Sequence, residues 1–396
     1  TKYFYLCAYF FNMQLFEQIL SCYGWEGAAL AGATLLMLGV QLYYYIFVYG
    51  RIPGYKNNRR PQTMDREPPV SVVVPLFSED YSFVEERLPL ILAQNYPDFE
   101  VVIVYVGHET DFYEDLVRLK QSFPQITTTK IHLDPRFPIS RKMALNVGIK
   151  SAHYECMVFT STDAVPQTDR WLSLMAKGFI NGDIVIGYCG IEPGKGLANR
   201  LMRCSRLAGS VRWLSAATRG RAYRGIAGNI GYTKSLYFES RGFNYLNMEI
   251  GDDDLFIQKI ATSDNVSVVM NPAATMRQVP FGGLGWWRAV RRFYAYSFRY
   301  YPARVKRSVR TELSSRLLFF ALSATAALLL PPPLIGVPLS LVLIRLLLLE
   351  LKIRRIGRRV GERGLAWAYI LHDFWAPVGE FALALGNRIR PNRKIW

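Results

Sequence analysis

Val70-Ser71-Val72-Val73-Val74-Pro75-Leu76-Phe77-Ser78-Glu79 is the stretch from which the fold can be read outward. Four valines among its first five residues, with no polar alternation, describe a strand buried on both faces. That is the condition of a parallel sheet covered by helices. Further apolar or β-branched runs are predicted as strands at 100–106, 129–133, 155–160 and 183–188. Helical patterns lie among them at about 81–95, 111–122, 140–151 and 170–180. Strands alternating with helices make βαβ units, so residues 68–285 read as an α/β domain with a mostly parallel, Rossmann-like sheet. Ligands of such sheets bind beyond the carboxyl ends of the strands, which directs attention to the residues after each run.

The chain is longer than that domain and unusually apolar for its charge, with 396 residues, 51% hydrophobic, and a net charge of +17. Residues 27–50 carry no charge. As a helix they span about 36 Å, enough for a hydrocarbon core of about 30 Å. The segment is predicted to cross a membrane, with Tyr43, Tyr44 and Tyr45 near an interface; it is too long for a signal peptide and no small-residue cleavage site follows. Arg51, Lys56, Arg59, Arg60 and Arg66 come next, whereas only Lys2 precedes it. By the positive-inside rule the basic linker 51–67 and the domain after it are cytoplasmic.

Beyond the domain, residues 286–312 form a Trp- and Arg-rich interfacial segment. Residues 313–351 are predicted as a helical hairpin broken at Pro331, Pro332 and Pro333, either spanning or re-entrant. In the final part, 352–396, a basic loop precedes an apolar stretch at 364–386. It contains His372, Asp373, Pro377 and Glu380, and either crosses the membrane or lies in its interface. Nineteen cations flank these apolar segments, more than the whole net charge. The surplus is therefore a topological signal and not a nucleic-acid patch. Five cysteines without CxxC spacing and four dispersed histidines leave no zinc finger or disulfide framework.

The residues after the strands carry chemistry. Pro75 and Glu79 follow the first; Lys142 stands near the start of a helix within Arg141-Lys142-Met143-Ala144-Leu145-Asn146; Asp163 follows the fourth in Ser161-Thr162-Asp163. Further on come Gly228-Asn229-Ile230-Gly231-Tyr232, the triplet Asp252-Asp253-Asp254, and Trp286-Trp287 ahead of Arg291-Arg292-Phe293. In this order and at these spacings the blocks resemble the membrane-bound family 2 glycosyltransferases, over roughly residues 68–295. The resemblance implies a GT-A fold flanked by transmembrane helices. It also implies an inverting transferase that moves one sugar from a nucleotide-diphosphate donor, UDP-linked, to a lipid or glycan acceptor at the cytoplasmic membrane face.

Such a reaction requires charge neutralisation on the departing diphosphate and removal of a proton from the acceptor hydroxyl. On the family pattern Asp163 holds a divalent cation, Mg²⁺ or Mn²⁺, and the diphosphate. Asp253 is the general base with Asp252 beside it, although three adjacent carboxylates are equally the letters of an acidic helix start. Pro75, Glu79, Lys142 and Arg292 are assigned to the donor; Asn229, Tyr232, Trp286 and Trp287 to the acceptor side. The Trp and Arg cluster has a second open reading, as an interfacial anchor. Three blocks depart from the pattern: the strand end at Tyr105 to Gly107, where an Asp for the uracil is expected, Ser161 in place of the first metal Asp, and Ala289 in place of the Gln of processive synthases. The last argues for transfer of a single sugar and against a processive synthase, which stays as the alternative within the class; together the three keep a catalytically degenerate scaffold as the other alternative.

Overall fold

The computed structural model describes residues 25–56, 67–133, 139–246, 251–329 and 335–389. Strands β1 (Val70–Leu76), β2 (Phe99–Val106), β3 (Ile126–Ile131) and β4 (Cys156–Phe159) pair in parallel in the order β3-β2-β1-β4. Every residue of β1, and all but the first of β2, is buried. Helices α3 (Asp111–Ser122) and α4 (Arg141–Ser151) supply crossovers; a short α2 (Leu88–Leu92) with a π-wound turn before it follows β1. The serine that precedes α4, Ser140, caps it by accepting from the Met143 amide.

Past β4 the sheet departs from the simple alternation. Strand β8 (Ile230–Thr233) is inserted antiparallel between β4 and β6 (Ile184–Gly187), and β9 (Val266–Val269) closes the edge. A second, three-stranded sheet joins β5 (Ala164–Pro166), β10 (Met276–Gln278) and β7 (Cys189–Ile191). The remaining helices of the domain are α5 (Trp171–Phe179), α6 (Leu197–Ala217), α7 (Lys234–Glu239) and α8 (Leu255–Ile260). The small sheet matters for the site, because it brings Gln278 of β10 beside the residues that follow β4.

Helix α1 (Trp25–Val48) and the helix α10 (Ala303–Leu329) are long and apolar enough to cross a membrane. About a third of the apolar window of α1 and two-fifths of that of α10 are buried. Their apolar faces are thus mostly uncovered, unlike the core helices of a soluble domain. Helix α11 (Gly336–Arg359) and helix α12 (Ala366–Ile389) pack with them, and α9 (Gly283–Ser297) lies against α6 and α12. The three prolines at 331–333 fall outside the described residues.

The charges inside these apolar helices point inward. The fully buried Arg345 guanidinium donates to Asp373 Oδ2 at 2.7 Å, Tyr45 Oη at 2.7 Å and Gln41 Oε1 at 3.1 Å. Asp373 also meets Arg316 at 3.0 Å, and Glu312 meets Arg316 and Arg212. Helices α1, α6, α10, α11 and α12 are thereby joined by one paired network, the arrangement ionisable side chains adopt where water is scarce. Trp367, Trp375 and Leu385 of α12 face outward instead.

Candidate active site

A cavity of about 530 Å³ opens beyond the carboxyl ends of β1 and β4, where an α/β sheet places its ligand. Its floor is Pro75, Ser161, Thr162 and Asp163; Arg141, Asp252 and Asp253 form one wall, Arg206 and Gln278 another, and Trp286, Val290, Phe293 and Tyr294 of α9 form the roof. Gly228 belongs to the lining as well, and a β-carbon there would come within 2.9 Å of Cys189 Sγ.

The three adjacent carboxylates are separated by the turn that carries them. Gly251, with φ of +111°, supplies a conformation other residues rarely adopt, and the chain then turns into α8. Asp252 accepts from Arg141 Nε at 3.0 Å. Asp254 is consumed by structure: its Oδ1 caps α8 at the Leu255 amide, and its Oδ2 accepts from Ser297 and from Tyr301 at 2.7 Å. Asp253 keeps one oxygen unpaired. Its Oδ2 accepts from the Ala227 amide at 3.1 Å and the Tyr294 hydroxyl at 2.6 Å, while its buried Oδ1 has no hydrogen-bond partner. Burial, with Asp252 and Asp254 alongside, pushes its carboxyl up to about 7 against the pull of Arg224 and Tyr294. A carboxylate that lines a cavity, with one oxygen free of hydrogen bonds and a proton affinity near neutrality, is suited to general-base work.

On the other side of the cavity Asp163 is oriented by a relay. Ser161 donates to its Oδ1 at 2.5 Å, and Gln278 Nε2 reaches both carboxylate oxygens at 3.1 and 3.2 Å. Gln278 in turn accepts from Arg206 at 2.8 Å. Arg141 Nη2 is buried without a hydrogen-bond partner, an orphan donor on a cavity wall that suits an anion.

From residue 33 to residue 387 the chain matches glycosyl transferase family 21. It is a family 21 glycosyltransferase. The blocks that resemble family 2 thus mark a glycosyltransferase, and the family matched is 21. Among solved structures, the mannosyltransferase PcManGT from Pyrobaculum calidifontis, in complex with GDP-Man and Mn²⁺, is similar with a TM-score of 0.52 and 19% identity. The match covers 88% of this chain and 99% of that one. Residues 1–349 of TarS from S. aureus give a TM-score of 0.40 and 16% identity, over 81% and 91%. The likeness to PcManGT shows a shared GT-A-like fold. No curated protein matches the chain in sequence.

Of the residues expected from sequence, the family 21 fold gathers Pro75, Asp163, Asp252, Asp253 and Trp286 on one cavity. It places the others elsewhere. Glu79 is exposed beyond β1. Lys142 is buried and donates to the Leu246 carbonyl at 2.6 Å, so its neighbour Arg141 is the cation that faces the cavity. Arg292 is exposed on α9, one residue out of phase with the face formed by Val290, Phe293 and Tyr294. Asn229 is a core bracket: it accepts from Trp171 Nε1 and donates to the carbonyls of Tyr188 and Ala274. Tyr232 is buried between Phe159 and Tyr237. Trp287 turns away from the catalytic cavity and packs with Ile191 and Met202 beneath the Arg206 guanidinium. Tyr105 is buried against Tyr113.

Arg206, Gln278 and Tyr294 went unread in the sequence. Tyr294 had a signal, since Trp286, Val290, Phe293 and Tyr294 recur at helical spacing. Arg206 and Gln278 had none, as they meet only through tertiary structure.

A divalent cation fits this donor set. Among the described residues no three His, Cys, Asp or Glu side chains gather around one point. Mg²⁺, and Mn²⁺ of similar preference for oxygen, is often held by one or two carboxylates plus substrate phosphates, which is what Asp163 with the Ser161 hydroxyl offers.

Proposed function

We propose that the protein transfers a single sugar, with inversion, from a nucleotide-diphosphate sugar to a hydroxyl of a lipid at the cytoplasmic face of a membrane. The observation that carries this reading is the unpartnered Asp253 Oδ1, held near neutral proton affinity and sharing one cavity with Arg141, Arg206 and Asp163. Asp253 takes the proton of the acceptor hydroxyl as its oxygen bonds to the anomeric carbon. The bond from that carbon to the diphosphate oxygen breaks on the opposite face, and the charge left on the diphosphate lies against Arg141 and Arg206. A divalent cation on Asp163 would supply further charge neutralisation there. PcManGT is described with GDP-Man and Mn²⁺; the sequence resemblance points to UDP, so both donors belong in the assay.

A lipid acceptor is favoured over a glycan by a second cavity of about 260 Å³ that shares Arg206, Ile226, Val290 and Tyr294 with the first. It continues to Leu313 of α10 and to Phe381 and Ala384 of α12. An acyl chain there would leave its hydroxyl end beside Tyr294 and Asp253. The uncovered faces of α1 and α10 support membrane anchoring, and the bases after α1 support the cytoplasmic side.

The test is release of UDP or GDP from a panel of sugar donors by detergent-purified protein, with Mn²⁺, Mg²⁺ or EDTA and with lipid or oligosaccharide acceptors. Metal-dependent release stimulated by a lipid alcohol is expected. Stimulation by oligosaccharides alone overturns the lipid assignment, and long polymer product overturns single transfer. No turnover with any donor, with nucleotide binding unchanged in Asp253→Asn, overturns the catalytic reading.

A further inference from the structure

A third cavity, of about 230 Å³, lies apart from the catalytic one, between the end of α1, the end of α6 and the start of α10. Four guanidiniums line it, those of Arg212, Arg219, Arg221 and Arg304, together with Tyr43, Tyr44, Tyr49 and Tyr223; no carboxylate does. Arg212 is neutralised by Glu312 at 2.8 Å. Arg219, Arg221 and Arg304 form no ion pair among the described residues, and Arg51 adds its field from the end of α1. Burial first, and then the adjacent Arg221, push the Arg219 guanidinium below its ordinary value, so its charge is held there at a cost. Crowding of this kind costs free energy in the empty protein and is relieved when an anion enters.

The walls specify more than charge. Val48, Val305 and Val309 make one side apolar, and the cleft lies against the uncovered face of α1, where Tyr43, Ile46 and Phe47 are exposed. Tyrosines at the end of a long apolar helix, with arginines just beyond, occupy the depth at which lipid headgroups lie. We propose that this cleft is a phosphate-binding site at the membrane interface, the phosphate being that of an anionic phospholipid whose chains run along α1. Arg221 and Arg304 grip the phosphate oxygens at the rim, Arg219 supplies the deeper charge, and the valine wall takes the first carbons of the chain. The source of the phosphate rests on the membrane reading above; the anion chemistry of the cleft does not.

The experiment is a calorimetric titration of the full-length protein in neutral detergent at about 0.15 M salt. The titrants are dihexanoyl phosphatidylglycerol, dihexanoyl phosphatidylcholine and inorganic phosphate. Arg221→Gln/Arg304→Gln removes two exposed cleft cations; Arg355→Gln/Arg358→Gln removes two exposed cations of α11 and matches the loss of net charge. Saturable phosphatidylglycerol binding is expected, weakened about tenfold or more in the cleft variant and unchanged in the α11 variant. Phosphatidylcholine is expected to bind at least about tenfold more weakly, since its own cation cancels the charge. Equal effects of the two variants, or none from either, overturn the proposal in favour of diffuse attraction. Inorganic phosphate binding as tightly as the lipid overturns the lipid source and assigns a soluble phosphate. Alkaline carbonate extraction of membranes tests anchoring separately: release of the protein there, with cleft-dependent phosphate binding intact, sinks the membrane reading and leaves the site.

Discussion

Replacing Asp253 by Asn separates the chemistry of the site from its stability in one substitution. The side chain keeps its shape: an amide oxygen in the place of Oδ2 still accepts from the Ala227 amide and the Tyr294 hydroxyl. The amide nitrogen then takes the position of the unpartnered Oδ1 and can accept no proton. Turnover should fall by about 10²–10⁴-fold, the usual contribution of a general base. Stability should move the other way. In the wild type the carboxyl titrates near 7 when folded, against an ordinary value of 3.8. The protonated form is thus favoured by the fold, a contribution fully present below pH 3.8 and lost as pH rises through 7. At 1.36 kcal/mol per decade the loss is about 4 kcal/mol. Asn has no proton to lose, so the variant's advantage in thermal midpoint should grow from pH 4 to 7 and stay level above. The assays are nucleotide-diphosphate release at saturating donor and paired thermal melts across pH 4–8 in one detergent. A midpoint difference that is flat with pH, or turnover kept within about tenfold, would refute the reasoning.

The same titration sets the pH profile: kcat/KM should fall about tenfold per pH unit below about 7, and a profile flat to pH 5 would exclude Asp253 as the base. Arg141→Lys should raise the donor KM by about tenfold or more, because an ammonium carries its donors on one nitrogen and cannot span from Asp252 to the diphosphate as the separate Nε and Nη2 of the guanidinium can. Donor titration of the nucleotide-release assay checks this. Asp163→Asn should lower activity by about 10²-fold and blunt its response to added Mn²⁺, measured as a metal activation curve. In the helical bundle, Arg345→Met should cost about 3–5 kcal/mol by leaving Asp373 with Arg316 alone, and Arg345→Met/Asp373→Leu should recover part of it. Thermal melts of the cycle decide; equal losses in single and double variants would show that Arg345 and Asp373 do not act as a pair.

Much of this protein was legible from local signals. A strand with four valines in its first five residues has few alternatives to a doubly covered sheet, and Asp163 stands out as a carboxylate just beyond a strand, whereas the roles expected of Asp163 and Asp253 came only from the resemblance to family 2 glycosyltransferases. The triplet 252–254 was legible as a group only. Its members differ because Gly251 turns the chain so that one carboxylate meets Arg141, one caps α8, and one keeps an oxygen unpaired. Lys142 and Arg292 were each one residue away from the side chain that faces the site. On a helix a single position is a turn of about 100°, enough to move a cation from the cavity to the core or to solvent.

The sequence by itself determined the α/β domain, the apolar segments and the sign of the charge beside them, because periodicity, length and composition act along the chain. Tertiary structure alone decided the inserted strand β8, the small sheet that carries Gln278, the arrival of Arg206 and Tyr294 at the cavity, and the inward pairing of Arg345 with Asp373. Each of these joins residues far apart in the chain, where contact depends on packing and on the cost of leaving a buried polar group unpaired, and neither leaves a pattern in neighbouring letters.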